Sequence, residues 1–424
     1  MSCLRLPYAA EAPLVRPSFQ PSRLRRRSRL FSTSCSAAAP RKKGERQKVV
    51  VISGPTGAGK SRLALELAKR LNGEIVSADS VQVYRGLDIG SAKPSFSERQ
   101  EVPHHLVDIL HPSEENFGQP EYSVGQFYED ARQITGEILS RGRVPVVTGG
   151  TGLYLRWFIY GKPDVPKASP EITSEVHSEL ADLQRDGDWD AAVQFVVKAG
   201  DPGVQSLAAN DWYRLRRRLE ILKSSGASPS AFQVPYNSFK EKLESSEIDA
   251  SGMKSSSSEF NENDGLLSEA KWLLDLGLLP NSNSATRAIG YRQAMDYLLM
   301  AREQGGWSSA KEFFNFLSEF QKASRNFAKR QLTWFRNEPI YQWIDASKPL
   351  ENVLRFICDV YDDDTGKLKV PRSLCMEKDI SNLKEVRLLK AYRTKNRHFI
   401  SREDCNGILD WVRRTQGEAT ISIR

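Results

Sequence analysis

Short β-branched runs alternate with amphipathic stretches through the first third of the chain. Residues 48–53 are dominated by Val49, Val50, Val51 and Ile52 and predict a strand, and Leu63, Leu65, Leu67 and Leu71 beyond it suit a buried helix. Residues 74–77 predict a second strand, 106–110 a third and 144–148 another, the last running into Gly149 and Gly150. Ser123 with Gln126 three residues on is a capping box, which predicts a helix from there to about Ser140. Strand and helix in alternation imply an α/β fold built on a parallel sheet with helices on both faces.

After Tyr160 the spacing turns helical and polar, over 170–184, 189–198 and a strong helix from Asn210 or Asp211 to Lys223, which predicts a helical insertion. Residues 224–264 are rich in Ser, Glu and Asn, too polar to pack, and read as a disordered linker. Helical periodicity resumes at Leu266 and continues with breaks to Trp334; from Lys348 the pattern is mixed. The expected division is therefore a leader at 1–47, a core first part at 48–160, the insertion at 161–209, a core second part at 210–345 and a C-terminal extension at 346–424.

A composition of 39% hydrophobic and 27% charged residues is that of a globular chain, and no run approaches a membrane span, so no membrane partner is expected. The net charge of +8 changes meaning once it is located. Residues 1–48 hold twelve basic side chains against Glu11 and Glu45, which leaves the remainder at −2. Any RNA-binding face must come from local clusters of Arg and Lys rather than a global field. The leader is rich in Arg, Ser, Pro and Ala and poor in acids, a transit-peptide composition that points to a chloroplast or mitochondrion, the alternative being a basic arm on a cytoplasmic protein. The five cysteines show neither metal nor disulfide spacing.

Gly54, Pro55, Thr56, Gly57, Ala58, Gly59, Lys60 and Ser61 fit G-x-x-x-x-G-K-[ST], after a predicted strand and opening a helix, which is the context this phosphate-binding motif requires. Backbone N–H groups and the helix N-terminus favour an anion, Lys60 adds a point charge, and the Ser61 hydroxyl suits Mg²⁺. The loop alone does not say whose phosphate it holds.

Several further runs resolve that choice by resemblance. Gly54-Pro55-Thr56, Ser77-Ala78-Asp79-Ser80 with Gln82 and Tyr84, Asp88 to Pro94, Pro103 to Asp108, Gly149 to Tyr154, Ala288 to Gln293 and Ala328 to Arg336 together resemble the tRNA dimethylallyltransferase family, in its plant-type branch. The resemblance implies a P-loop NTPase-like fold and transfer of a dimethylallyl group from dimethylallyl diphosphate to N6 of the adenosine 3′ of the anticodon, a source of cis-type cytokinin in plants. It implies a monomer, the tRNA anticodon stem-loop as partner and Mg²⁺ as cofactor. Asp79, at the end of a strand and hence near the sheet's carboxyl edge, is the expected general base for the N6 amine, with a Mg²⁺-shell acid or a helix cap as alternatives. Thr151 is expected at the diphosphate or the adenine, and Lys271 as a clamp on the diphosphate.

Expected tRNA contacts are Asp79, Ser80, Val81 and Gln82, then Tyr213, Arg214 and Arg217, then Arg287, Gly290, Tyr291 and Arg292, and finally Arg325, Lys329, Arg330 and Gln331. Because Arg214, Arg216, Arg217 and Arg218 point to nearly all sides of one helix, some of them must form structural ion pairs. Trp334 and Phe335 either stack on bases or anchor the core. Residues 390–398, with Tyr392 among basic side chains, add RNA affinity or form an exposed tail.

One departure stands out. Family members usually carry a further apolar strand and a helix between the Arg-rich helix and Leu266, where this chain has its Ser-rich linker. Either the chain is a variant of reduced activity or another segment fills the gap. Rival readings are a small-molecule P-loop kinase, an isopentenyltransferase acting on free AMP or ATP, and an inactive RNA-binding relative.

Overall fold

The computed structural model describes residues 2–5, 48–113, 122–232, 265–338, 340–363, 370–375, 399 and 403–421. Most of the leader, residues 233–264 of the linker and the basic segment 390–398 lie outside the described residues. The chain divides into two compact units, Met1–Gly152 with Ile248–Arg424, and Leu153–Glu247.

The first unit is built on a six-stranded sheet in the order β4-β3-β5-β2-β1-β6. Its strands are β1 Ser2–Arg5, β2 Val50–Ser53, β3 Gly73–Ser77, β4 His104–His105, β5 Val144–Gly149 and β6 Gln342–Ile344. β4, β3, β5 and β2 run parallel, with Ile75 opposite Val146 and Val50 opposite the same residue on its other side. Alternate strand residues reach alternate faces. Val50, Ile52, Ile75, Val144 and Val146 meet Leu63, Leu67 and Ala68 of helix α1 (Lys60–Arg70) in one cluster. The opposite face is covered at β3 and β5 by a later helix, Val124–Ser140, which the Ser123–Gln126 capping box opens as expected.

The sheet is mixed rather than wholly parallel. β1, from the basic leader, runs antiparallel between β2 and β6 and pairs with both. The physical reason is the edge itself, since an open strand presents a row of unsatisfied N–H and C=O groups that any extended segment can pair. The expected strand at 106–110 is also displaced. Ladder pairing to β3 is made by His104 and His105, after which Leu106 and Asp108 take positive φ angles of 60° and 58°. Backbone bonds from Asp108 to Gln82 and from Ile109 to Val83 then hold this segment against the loop after β3.

Near the amino end of β3, Glu74 is 3% exposed and accepts hydrogen bonds from His105 (2.6 Å), Arg141 (2.8 Å) and Arg143 (2.9 Å). Burial pushes its carboxyl up, but the three donors outweigh that and hold it below the usual range.

The extension from residue 346 is not separate from the core. Leu354 and Ile357 of the helix Leu350–Asp362 join the α1 cluster, and Cys405 and Val412, at the helix Asn406–Ile421, join a second cluster with the helices that follow the linker. The Arg-rich helix Trp212–Ser225 was expected in the core, yet it belongs to the other unit. There Leu215, Leu219 and Leu222 pack on Val176, Leu180, Val193 and Val196 of the helices Pro170–Asp186 and Trp189–Ala199. Among the described residues no helix is long and apolar enough to cross a membrane.

Candidate active site

Three turns leave the carboxyl edge of the sheet side by side. The first follows β2, where Gly57 and Gly59 adopt φ of 77° and 76°, a left-handed conformation that would strain any other residue. Gly59 caps α1 with no side-chain bond, and the amino end of that helix, whose dipole favours an anion, opens on the same edge. Lys60 lies over this loop and donates to the Pro55 carbonyl at 2.7 Å, while Thr56 and Ser61 are exposed.

The second turn follows β3 and carries Asp79. One carboxylate oxygen, Oδ1, accepts from the Val81 N–H at 2.9 Å and so caps its own turn, and Asp79 itself is half-buried. The third follows β5 and carries Thr151, whose Oγ1 accepts from the Ser80 N–H at 3.1 Å and whose N–H donates to the Ala78 carbonyl at 3.2 Å. Gly149 passes so close to Ala78 that a Cβ would lie 2.1 Å from its carbonyl oxygen, so only glycine fits there. The expected triad of Lys60, Asp79 and Thr151 is thus set on adjacent strand ends, with Asp79 and Thr151 tied through Ser80.

The loop beyond Asp79 is pinned at both ends. Gln82 accepts from Ser77 Oγ and donates to the Ser91 and Ala92 carbonyls, while Val81 packs beside the apolar cluster, and both are half-buried. Glu269, on the helix Leu266–Asp275, accepts from the N–H groups of Asp88, Ile89 and Gly90 and from the Tyr291 hydroxyl. The Lys93 ammonium, 1% exposed, joins Asp88, Asp108 and the Tyr84 carbonyl. Burial raises the Asp108 carboxyl, but Lys93 and Arg99 overcome this and lower it. Asp88, Lys93 and Asp108 lie in runs that carry the resemblance without any assigned role, and the structure makes them part of the scaffold of the Asp79 loop.

A family model described as IPP transferase matches residues 82–338, and one described as isopentenyl transferase matches 47–108. The chain belongs to the IPP transferase family. It is 56% identical to tRNA dimethylallyltransferase 9 of Arabidopsis thaliana, with 92% of each chain covered. It is 39% identical to the tRNA dimethylallyltransferase of Protochlamydia amoebophila, over 71% of this chain and 85% of that one. A crystal structure of a eukaryotic dimethylallyltransferase acting on tRNA is 21% identical and shares the fold, at a TM-score of 0.50 over 80% of this chain and 83% of that one.

In this IPP transferase the residues expected at tRNA divide sharply. Tyr291, which opens the helix Tyr291–Glu303, is fully buried; burial and the Glu269 charge drive its hydroxyl far above the usual phenol range. Gly290 caps that helix at φ 98°, its N–H donating to Gln293 Oε1, and is buried as well. Both are corrections: they are core, a fact carried by the apolar spacing Tyr291, Ala294, Met295, Leu298. Arg292 is exposed, and Arg287 is exposed with its guanidinium on Asn283 O and Ser284 Oγ. Tyr213 is 52% exposed. Arg214 pairs with Asp211, Arg217 with Glu220, and Arg218 makes two bonds to Asp201 at 2.6 and 2.7 Å, which bears out the expectation that part of this cluster is structural.

The long helix Ala310–Arg336 differs. Arg325, Lys329 and Arg330 form no ion pair among the described residues, and Arg330 is exposed. Gln331, one residue further on, is buried: its Oε1 accepts from the Thr56 N–H at 2.9 Å and its Nε2 donates to the Gly150 carbonyl at 2.9 Å. Its amide is thus spent on two backbone groups rather than presented at the surface. Phe335 is core, and Trp334 lies against Gly152. Lys271, expected as a diphosphate clamp, pairs instead with Asp275 four residues on.

Proposed function

We propose that this chain transfers a dimethylallyl group from dimethylallyl diphosphate to N6 of an adenosine in the tRNA anticodon loop, releasing diphosphate. The observation that carries the reading is the placement of an anion loop, a carboxylate and a threonine turn on three adjacent strand ends. They lie in a chain that is 56% and 39% identical to proteins bearing the tRNA dimethylallyltransferase name.

In the reaction the N6 nitrogen forms a bond to the allylic carbon as the carbon–oxygen bond to diphosphate breaks, and a proton leaves N6. The amine is a weak nucleophile because its lone pair is delocalised into the ring, so a carboxylate that takes the proton accelerates attack. Asp79 supplies it: Oδ1 is held by Val81 and thereby orients the other oxygen. The departing diphosphate gains negative charge, met by the α1 N-terminus, Lys60 and the Thr56 hydroxyl as a preorganised anion site. Thr151 orients the Ser80 turn against the same edge.

Mg²⁺ would be held through the exposed Ser61 hydroxyl at the mouth of the anion loop, an oxygen donor of the kind this ion prefers. Bound there it would neutralise charge on the leaving group. The anticodon loop is a fitting partner because its bases unstack at little cost. We assign the chain to a chloroplast or mitochondrion on its basic leader, and we take it to act as a monomer.

Labelled dimethylallyl diphosphate offered with tRNA, with AMP and alone tests the reading. Label in tRNA is the expected result. Label in AMP, or ATP cleavage without prenyl transfer, would overturn it.

A further inference from the structure

Gln331 is the point at which the long helix Ala310–Arg336 touches the chemistry. It is 7% exposed, and both ends of its amide are engaged by backbone of two different active-site turns. The oxygen faces a donor, the Thr56 N–H of the phosphate loop, and the nitrogen faces an acceptor, the Gly150 carbonyl of the Thr151 turn. A carboxamide meets both demands at once, whereas a carboxylate has no donor and an aliphatic chain has neither. The fit is close on all sides. A Cβ on Gly150 would lie 2.5 Å from Gln331 Nε2, and a Cβ on Gly152 would lie 2.6 Å from the Trp334 ring, so the helix meets this turn at backbone distance.

We infer that Gln331 is a positioning residue for the diphosphate site, setting the spacing between the loop that holds the leaving group and the turn that carries Thr151. The inference rests on the function proposed above. It follows that the Thr56 N–H is not a phosphate donor, since it is turned onto Gln331, and that the loop is braced from behind by a side chain 275 residues away. Thr151 in turn holds Ser80, next to Asp79, so the brace extends from the anion loop through Gly150 to the carboxylate turn. Reaction rates fall steeply with small displacements of reacting groups, so a residue that touches no substrate acts here through geometry.

Gln331→Met keeps the side-chain volume and removes both hydrogen bonds, which makes it the variant least prone to unfold. Gln331→Glu keeps the Thr56 bond, opposes the Gly150 carbonyl and brings a negative charge to an anion site. With inorganic diphosphate and Mg²⁺ as the calorimetric probe, Gln331→Met is expected to bind about tenfold more weakly than the unaltered chain, and Gln331→Glu more weakly still. In the transfer assay kcat falls and the KM for the diphosphate donor rises, while donor-free tRNA binding stays within about twofold and circular dichroism is unchanged.

A folded Gln331→Met with unaltered diphosphate affinity and unaltered kcat overturns the inference. So does a loss confined to tRNA affinity, which would return Gln331 to the RNA face. If the unaltered chain moved no label to tRNA, the proposed activity would fail, whereas the diphosphate titration would still decide the role of Gln331.

Discussion

The arginines of the helix Trp212–Ser225 and three cations of the helix Ala310–Arg336 look alike in sequence and are used differently. In the first, Arg214, Arg217 and Arg218 each meet an acid of their own unit, and Arg216 donates to Gln184. In the second, Arg325, Lys329 and Arg330 meet no acid among the described residues. A guanidinium already paired must break that pair before it can reach a phosphate, whereas an unpaired one gives up only water. Cation count along a helix is therefore a poor guide to RNA affinity; the census of acids around it is the better one.

The widest separation of chemistry from binding comes from Asp79, which lies on neither helix. Asp79→Ala is expected to lower transfer by about a hundredfold or more while tRNA affinity is retained. Single-turnover transfer beside filter binding checks this, and undiminished turnover would remove Asp79 from the mechanism.

Arg218→Ala comes next. Its partner Asp201 is 1% exposed, so the variant leaves a buried carboxylate without its cation and should lose about 3 kcal/mol of stability, read by denaturant melts. The salt dependence of tRNA binding should not move, and a shallower slope would put Arg218 on the RNA.

The smallest effect belongs to the double change Lys329→Ala and Arg330→Ala. Stability should stay within about 0.5 kcal/mol, while the slope of log affinity against log salt falls by roughly 1.4, about 0.7 for each lost contact to a single strand. Arg217→Ala is the control, because its one-turn pair with Glu220 predicts little change in either quantity. Equal slopes in the two helices would erase the distinction drawn between them.

Self-contained local signals in the sequence place their elements to within a residue or two. The strand before Gly54, the capping box at Ser123 and the helix opened by Lys60 depend on neighbours in the chain alone. The 106–110 segment failed as a strand because its backbone bonds go to Gln82 and Val83 rather than into the sheet, a partnership no periodicity encodes. Likewise the resemblance marked Tyr291 and Gln331 as important without saying whether they face RNA or hold the core. The spacing at Tyr291 carried the answer; at Gln331 only the distant glycine turns do. Glu269 and Lys93 were missed as scaffold because their partners are backbone amides and acids far along the chain or in an irregular loop.

Glu269 carries a consequence for how this chain tolerates change in length. The loop after Asp79 is fastened by a helix that begins only at Leu266, on the far side of the polar stretch 233–264. A one-residue shift inside Leu266–Asp275 would turn Glu269 about 100° round the helix axis and carry its carboxylate away from the amides of Asp88, Ile89 and Gly90.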